Sequence, residues 1–304
     1  MHTRRFVVAV ALASIGSLGA SPAGAAKPAC AIDNARTHTE YMTLQDAVNA
    51  AAPGATLEIK GVCAGSTIVA RDVVLKGVAT KAFGPATLTG ANAGRVLRVN
   101  APSTTTVRGL TLTGGNTSDG GGIIVRSGAT ARVENSVIYG NTASGFGGGI
   151  EVFPTGTLTV TSSVVRDNQA ASSGGIDSDH GTVTVVSSAV RDNTASGGAN
   201  CVQAGFSCAG GLWNFGGAMT LRDTVVSGNS AGYQGGGLRN QTPAGEPAGV
   251  LTLIGATTIS GNDAGDSGGG VSDVEGVYDV TAWTGSIFSN TPDQCSPAVP
   301  ALGC

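Results

Sequence analysis

A two-part signature recurs along this chain and limits its possible folds more than any other feature. Six segments close on an aliphatic residue, two variable residues and an asparagine: Ile138 to Asn141, Val165 to Asn168, Val190 to Asn193, Val226 to Asn229, Ile259 to Asn262 and Ile287 to Asn290. The first five are each followed by a glycine cluster that ends on an aliphatic residue, at Ile150, Ile176, Leu212, Leu238 and Val271. An earlier cluster, Gly120 to Ile123, follows Asn116. Successive asparagines from Asn116 to Asn290 lie 25, 27, 25, 36, 33 and 28 residues apart. The two longest intervals hold visible insertions, one bracketed by Cys201 and Cys208 and one over residues 242–249. A period of this size that tolerates insertions at turns marks a solenoid, built coil upon coil.

Within each repeat, short runs such as Leu158 to Val160 and Ser163 to Val165 alternate apolar and polar residues and favour β-branched side chains, with no helical period. Equivalent strands of successive coils are expected side by side, parallel and about 4.8 Å apart. The asparagine is expected to take a left-handed turn while its amide bonds to the copies above and below. The glycines are expected to turn the next corner with positive φ. Glycine makes up 49 of the 304 residues and aromatics only 4%. That composition suits a narrow interior of small and β-branched side chains rather than a wide globular core.

An open solenoid end exposes unpaired backbone, so a cap is expected. Thr43 to Asp46 reads as a weak capping box opening a helix with apolar face Leu44, Ala47, Val48 and Ala51, ended by Pro53-Gly54. Upstream, a basic start, an apolar run from Phe6 to Ala20 and the small residues before Ala25 read as a secretory signal peptide cleaved after Ala25. The expected organisation is therefore a signal peptide at 1–25, a leader segment at 26–40, the solenoid with its cap at 41–292, and a disulfide-closed tail at 293–304. Losing Arg4 and Arg5 leaves 15 bases against 20 acids, a formal charge of −5, without the basic footprint of a nucleic-acid or anionic-membrane partner. No later run is long and apolar enough for a transmembrane segment. Six cysteines in an exported chain point to disulfides; proximity pairs Cys201 with Cys208 and Cys295 with Cys304, which leaves Cys30 with Cys63.

The cap segment Leu44 to Ala51 with Pro53-Gly54 resembles the entry of pectin-lyase-like proteins. The ordered asparagine and glycine signatures are similar to the repeats of polymorphic outer-membrane proteins and of bacterial right-handed β-helix proteins. The resemblance spans about residues 41 to 292. It implies an all-β fold, a right-handed parallel β-helix solenoid with an N-terminal capping α-helix. It leaves activity open, because such proteins include adhesins as well as carbohydrate-active enzymes. The repeats do not give way to a series of alternating strands, so the translocating barrel of the outer-membrane members is not expected.

Laying the repeats on one another places Ile124, Glu151, Asp177, Trp213, Arg239 and Ser272 in one column. Strand alternation sets it opposite the inward aliphatic residues, so it is expected to face solvent. Glu151 and Asp177 on neighbouring coils have the spacing for a calcium site or a glycosidase pair. Trp213 and Phe215 offer a sugar platform, and Arg239 a partner for a carboxylated sugar. Asp177, Asp179 and His180 form the densest titratable cluster, as metal ligands or as polar turn residues. The acids from Asp263 to Asp279 lack the spacing of a calcium loop, and Arg166-Asp167 with Arg191-Asp192 read as an ion ladder between coils. Phe146, Phe153 and Tyr233 serve either packing or glycan contact.

No serine elbow, P-loop, His-Glu-x-x-His or paired-cysteine metal motif is present. The sequence therefore favours a secreted, extracellular, non-enzymatic scaffold that binds polysaccharide or cell-surface material, with no cofactor. The alternative is a calcium-assisted polysaccharide lyase or glycoside hydrolase using Glu151, Asp177, Asp179, His180 and Arg239.

Overall fold

The computed structural model describes residues 29–197 and 208–304. The expected signal peptide and Cys201, with its expected bond to Cys208, lie outside the described residues. Alternation and β-branching produce the expected strands, which stack in parallel. Thr157–Thr161 pairs with Thr130–Glu134 on one side and Thr182–Val186 on the other. Val164–Arg166 is flanked in the same way by Val137–Tyr139 and Ala189–Arg191, and Ile176–Asp179 by Ile150–Val152 and Leu212–Phe215. A fourth, minor ladder of two-residue strands runs from Asn116–Thr117 to Asp263–Ala264. Each coil visits these ladders in turn, so one spiral carries three main sheets around a thin core. Ile150, Val152, Leu158, Val160 and Val165 have no exposed surface. Each such side chain contributes about 1.5–3 kcal/mol through burial.

Two polar ladders bind the coils from within. Asn168 donates from its backbone N–H and its amide to Asn193 Oδ1 at 3.1 and 3.0 Å, and Asn193 repeats both bonds to Asn229. The series continues through Asn262 to Asn290, where Gln294 Oε1 accepts the last pair at 3.2 and 2.9 Å. One sequence expectation is corrected here. The left-handed residue is the one before each asparagine, as at Asp167 (φ 52°) and Asp192 (φ 55°), while the asparagine itself points inward. The second ladder uses hydroxyls. The backbone N–H of Ser136 donates to Ser163 Oγ, and that of Ser163 to Ser188 Oγ, at 3.0 and 3.1 Å.

Glycine serves two purposes in the clusters. At Gly147 (φ +58°) it turns the corner, as expected. At Gly175 the constraint is stacking, because a Cβ would stand 2.3 Å from the carbonyl oxygen of Gly211 in the next coil. Gly175→Ala is expected to lower stability by about 1–3 kcal/mol, as overpacking against backbone does; a urea midpoint unchanged from wild type would contradict this.

Helix Leu44–Ala50 forms where expected, with Thr43 Oγ1 accepting from Asp46 N at 3.1 Å. Its buried Leu44, Ala47 and Val48 lie against strands of the first coils. The leader segment contains strand Cys30–Asn34, which runs antiparallel along Ala55–Ala64 and is joined to it by the Cys30–Cys63 disulfide. At the other end, Cys295–Ser296 extends the sheet beside Val271–Val274, and a 3-10 turn at Pro300–Leu302 rests on Val277–Trp283. Val299 and Leu302 are buried there, and the Cys295–Cys304 bond closes the tail. Among the described residues, no helix is long and apolar enough to cross a membrane.

Candidate functional site

The expected column exists and is in register: Ile124, Glu151, Asp177, Trp213, Arg239 and Ser272 occupy paired positions on successive coils. Its expected exposure is wrong. Glu151 is 4% exposed, and Asp177, Trp213 and Arg239 are each 3% exposed. Strand alternation does turn these side chains away from the central core. Among the described residues, the end of the segment that precedes a glycine cluster lies against them as a roof. Phe146 from that layer sits with its ring 5.8 Å from Trp213, which in turn meets Phe215 edge-on at 5.8 Å. Bare glycine allows the roof to lie this low. A Cβ at Gly147 would stand 2.7 Å from Glu151 Oε2, and one at Gly235 would stand 3.1 Å from Arg239 Cβ.

Under the roof Glu151 and Asp177 form a closed carboxyl pair. Desolvation, followed by the charge of Asp177, pushes Glu151 well above the usual carboxylate range. Desolvation and then the charge of Asp179 lift Asp177 to about 8, against the opposing hydrogen bonds from Glu151 and Ser173. Burial and mutual repulsion thus favour the protonated form of both carboxyls. Glu151 Oε2 and Asp177 Oδ1 have no hydrogen-bond partner, and neither does the Trp213 indole N–H. Two coils above Asp177, the Arg239 guanidinium bonds only neutral oxygens: Gln241 Oε1 at 3.2 Å, Gln234 Oε1 at 2.9 Å and Ser272 Oγ at 2.7 Å. Its burial lowers its affinity for the proton to about 10. The Arg239 charge is therefore spent inside the fold rather than offered at a surface.

Asp179 and His180 lie at the end of the same strand. His180 takes the left-handed turn position (φ 52°), which supports the turn reading of this cluster. Its Nδ1 meets Asp179 Oδ1 at 2.5 Å, its Nε2 contacts Glu246 from the inserted loop, and its ring stands edge-on to Phe215 at 5.3 Å. Sequence reasoning missed Glu246, which only the stacking of non-adjacent coils brings to His180. With Asp179 engaged in this way, calcium would find two unpartnered carboxylate oxygens instead of the six to eight ligands it takes. Among the described residues, no cluster of three or more His, Cys, Asp or Glu side chains is arranged to hold a metal.

The remaining candidates do not converge. Asp273 accepts from Gly276 N and Tyr278 OH, Asp266 accepts from Gln234, and Asp279 accepts from Thr281. Arg166 and Arg191 each pair with the next residue in their own coil, Asp167 and Asp192, so the expected ion ladder between coils is absent. Phe153 lies under Arg126 at 4.1 Å, and Tyr233 packs on Ala195, Cys208 and Ala231.

Stacked parallel coils, with inward asparagines and glycine corners, define a parallel β-helix protein. The family model for the right-handed beta helix region matches residues 70–231. The chain belongs to that family. No curated protein and no solved structure matches it.

Proposed function

We propose that the mature chain is exported and acts as a non-enzymatic scaffold that binds glycans or cell-surface material. The sealing of the Glu151–Asp177 pair carries this reading, since a glycosidase or lyase built on it would need substrate where Phe146 and Gly147 lie. Disulfides at Cys30–Cys63 and Cys295–Cys304 suit an oxidising compartment. The burial of Trp213 and Arg239 moves the contact surface elsewhere. Tyr139, Arg166 and Arg191 stand in register on the outer side of one sheet, with the Arg166 guanidinium 4.6 Å above the Tyr139 ring. Arg166 covers one face of Tyr139, and Arg166 and Arg191 are paired with Asp167 and Asp192, so an acidic sugar would take the guanidiniums in exchange for those aspartates.

The test is a panel of acidic and neutral polysaccharides, with and without calcium, scored for both binding and depolymerisation. Binding of an acidic polymer is expected, weakened about tenfold or more in Tyr139→Ala with Arg191→Ala, as for loss of hot-spot residues. Release of reducing or unsaturated ends by the wild type, abolished in Glu151→Ala and Asp177→Ala, would establish the enzyme instead.

A further inference from the structure

The sheet through Thr157–Thr161 carries a regular outer pattern that neither the column nor the glycan surface uses. Six consecutive coils, from Thr104–Arg108 to Val250–Gly255, are paired without a register shift. Follow the two outward positions that Thr157 and Thr159 occupy through those coils. Nine of the twelve places are threonine, and the exceptions are Arg132, Ala218 and Val250. The result is a two-column grid, repeating about 4.8 Å along the solenoid and about 6.7 Å across it. All twelve positions are half-buried or exposed, and none is aromatic.

The hydroxyls of this grid differ from those inside. Ser136, Ser163, Ser188, Thr224 and Thr257 each spend their hydroxyl on a backbone carbonyl. None of the nine grid threonines makes a side-chain hydrogen bond to the protein among the described residues, so their hydroxyls and methyls are presented to solvent. β-Branching holds each side chain in few rotamers, and the coil ladder fixes the backbone beneath. Rigid hydroxyls at fixed spacing hold water at fixed spacing. The two repeats lie close to the oxygen repeats on a prism face of ice, slightly longer along the solenoid and slightly shorter across it. Charge would work against this, because an ion orders its own hydration shell; Arg132 is the single charge within the two columns, and Arg108, Glu134 and Arg222 at the next outward position bound the grid on that side. A glycan would be expected to use aromatic stacking, which this face lacks.

We propose that this threonine face binds ice. The proposal stands apart from the glycan surface, which lies on another sheet. The experiment grows ice slowly from a solution of the fluorescently labelled, disulfide-intact protein. It compares protein frozen into the ice with protein left in the liquid, using serum albumin as the excluded control. Wild type is expected to be enriched in the ice. Thr159→Lys with Thr184→Lys should abolish enrichment while circular dichroism and melting temperature stay unchanged, and Arg132→Thr should increase it. Exclusion of the wild type to the same extent as albumin overturns the proposal, as does undiminished enrichment of the folded lysine variant. Retention on microcrystalline cellulose or chitin, without adsorption to ice, overturns it in favour of a crystalline glycan.

Discussion

Asn193→Ala is expected to lose about 3–5 kcal/mol of stability, combining unsatisfied buried groups with a small cavity. Asn193 is fully buried in the middle of the asparagine ladder. Its Oδ1 accepts from both the backbone N–H and the amide of Asn168, and its Nδ2 donates to Asn229 Oδ1 and Val165 O, each at 3.0 Å. Truncation leaves two donors of Asn168 without acceptors in a place that water does not reach. Leaving a buried donor unpaired costs about 1–3 kcal/mol. Asn116→Ala is the internal control. Asn116 is exposed, and its amide makes one bond, to Asn92 O at 3.4 Å, so its loss should cost less than about 1 kcal/mol. Urea unfolding of both variants settles the point. Equal midpoints for the two would mean that the ladder contributes nothing beyond strand pairing.

The solenoid was readable because it rests on local, repeated chemistry. An apolar residue three before each asparagine, and an aliphatic residue after each glycine cluster, state the period directly. Both survive insertions such as residues 242–249, which leave Asn240 and Val250 in their ladders. The burial of the site was not readable from strand alternation. Period two tells which side of a strand a residue takes, but not whether a second layer covers that side. Two signals for the roof were present. A column meant for water held Ile124 and Trp213 beside its charges, and an alanine stands two residues after most of the asparagines, as at Ala143, Ala170, Ala195, Ala231 and Ala264. Those alanines are buried. The recurring hydroxyl before each second-sheet strand, at Ser136, Ser163, Ser188, Thr224 and Thr257, is likewise a pattern present in the sequence. The contact of His180 with Glu246 depends on which coils an inserted loop overlies, and no local rule supplies that.

The roof also makes the carboxyl pair a source of pH dependence with a definite sign. Asp177 binds its proton up to about pH 8 in the folded chain, against 3.8 as its ordinary value, because burial and the charge of Asp179 disfavour the carboxylate. Glu151 is raised as well, by burial and then by Asp177, with Asp119 and Asp179 adding to the repulsion. Between those limits the folded state holds more protons than the unfolded one, so this pair lowers stability as pH rises from about 4 towards about 8. Each pH unit in the window is worth up to about 1.4 kcal/mol per group. Asp177→Asn replaces the ionising oxygen with an amide of the same shape and removes the Asp177 contribution. Relative to wild type, the variant is expected to be nearly equal at about pH 4 and more stable by about 2–4 kcal/mol at about pH 8.5, allowing for relaxation around a buried charge. Glu151 keeps a residual slope in that variant, and Glu151→Gln with Asp177→Asn should remove it. Chemical denaturation at a series of pH values reads the difference curve directly. The common response of the surface carboxylates, including Asp279, whose affinity for the proton is lowered by its bonds to Thr281, cancels in the subtraction. A difference curve that is flat from acid to alkaline pH would mean that the pair is solvated and that the roof is open in solution. In that case substrate could reach the pair, and the case for an enzyme would return.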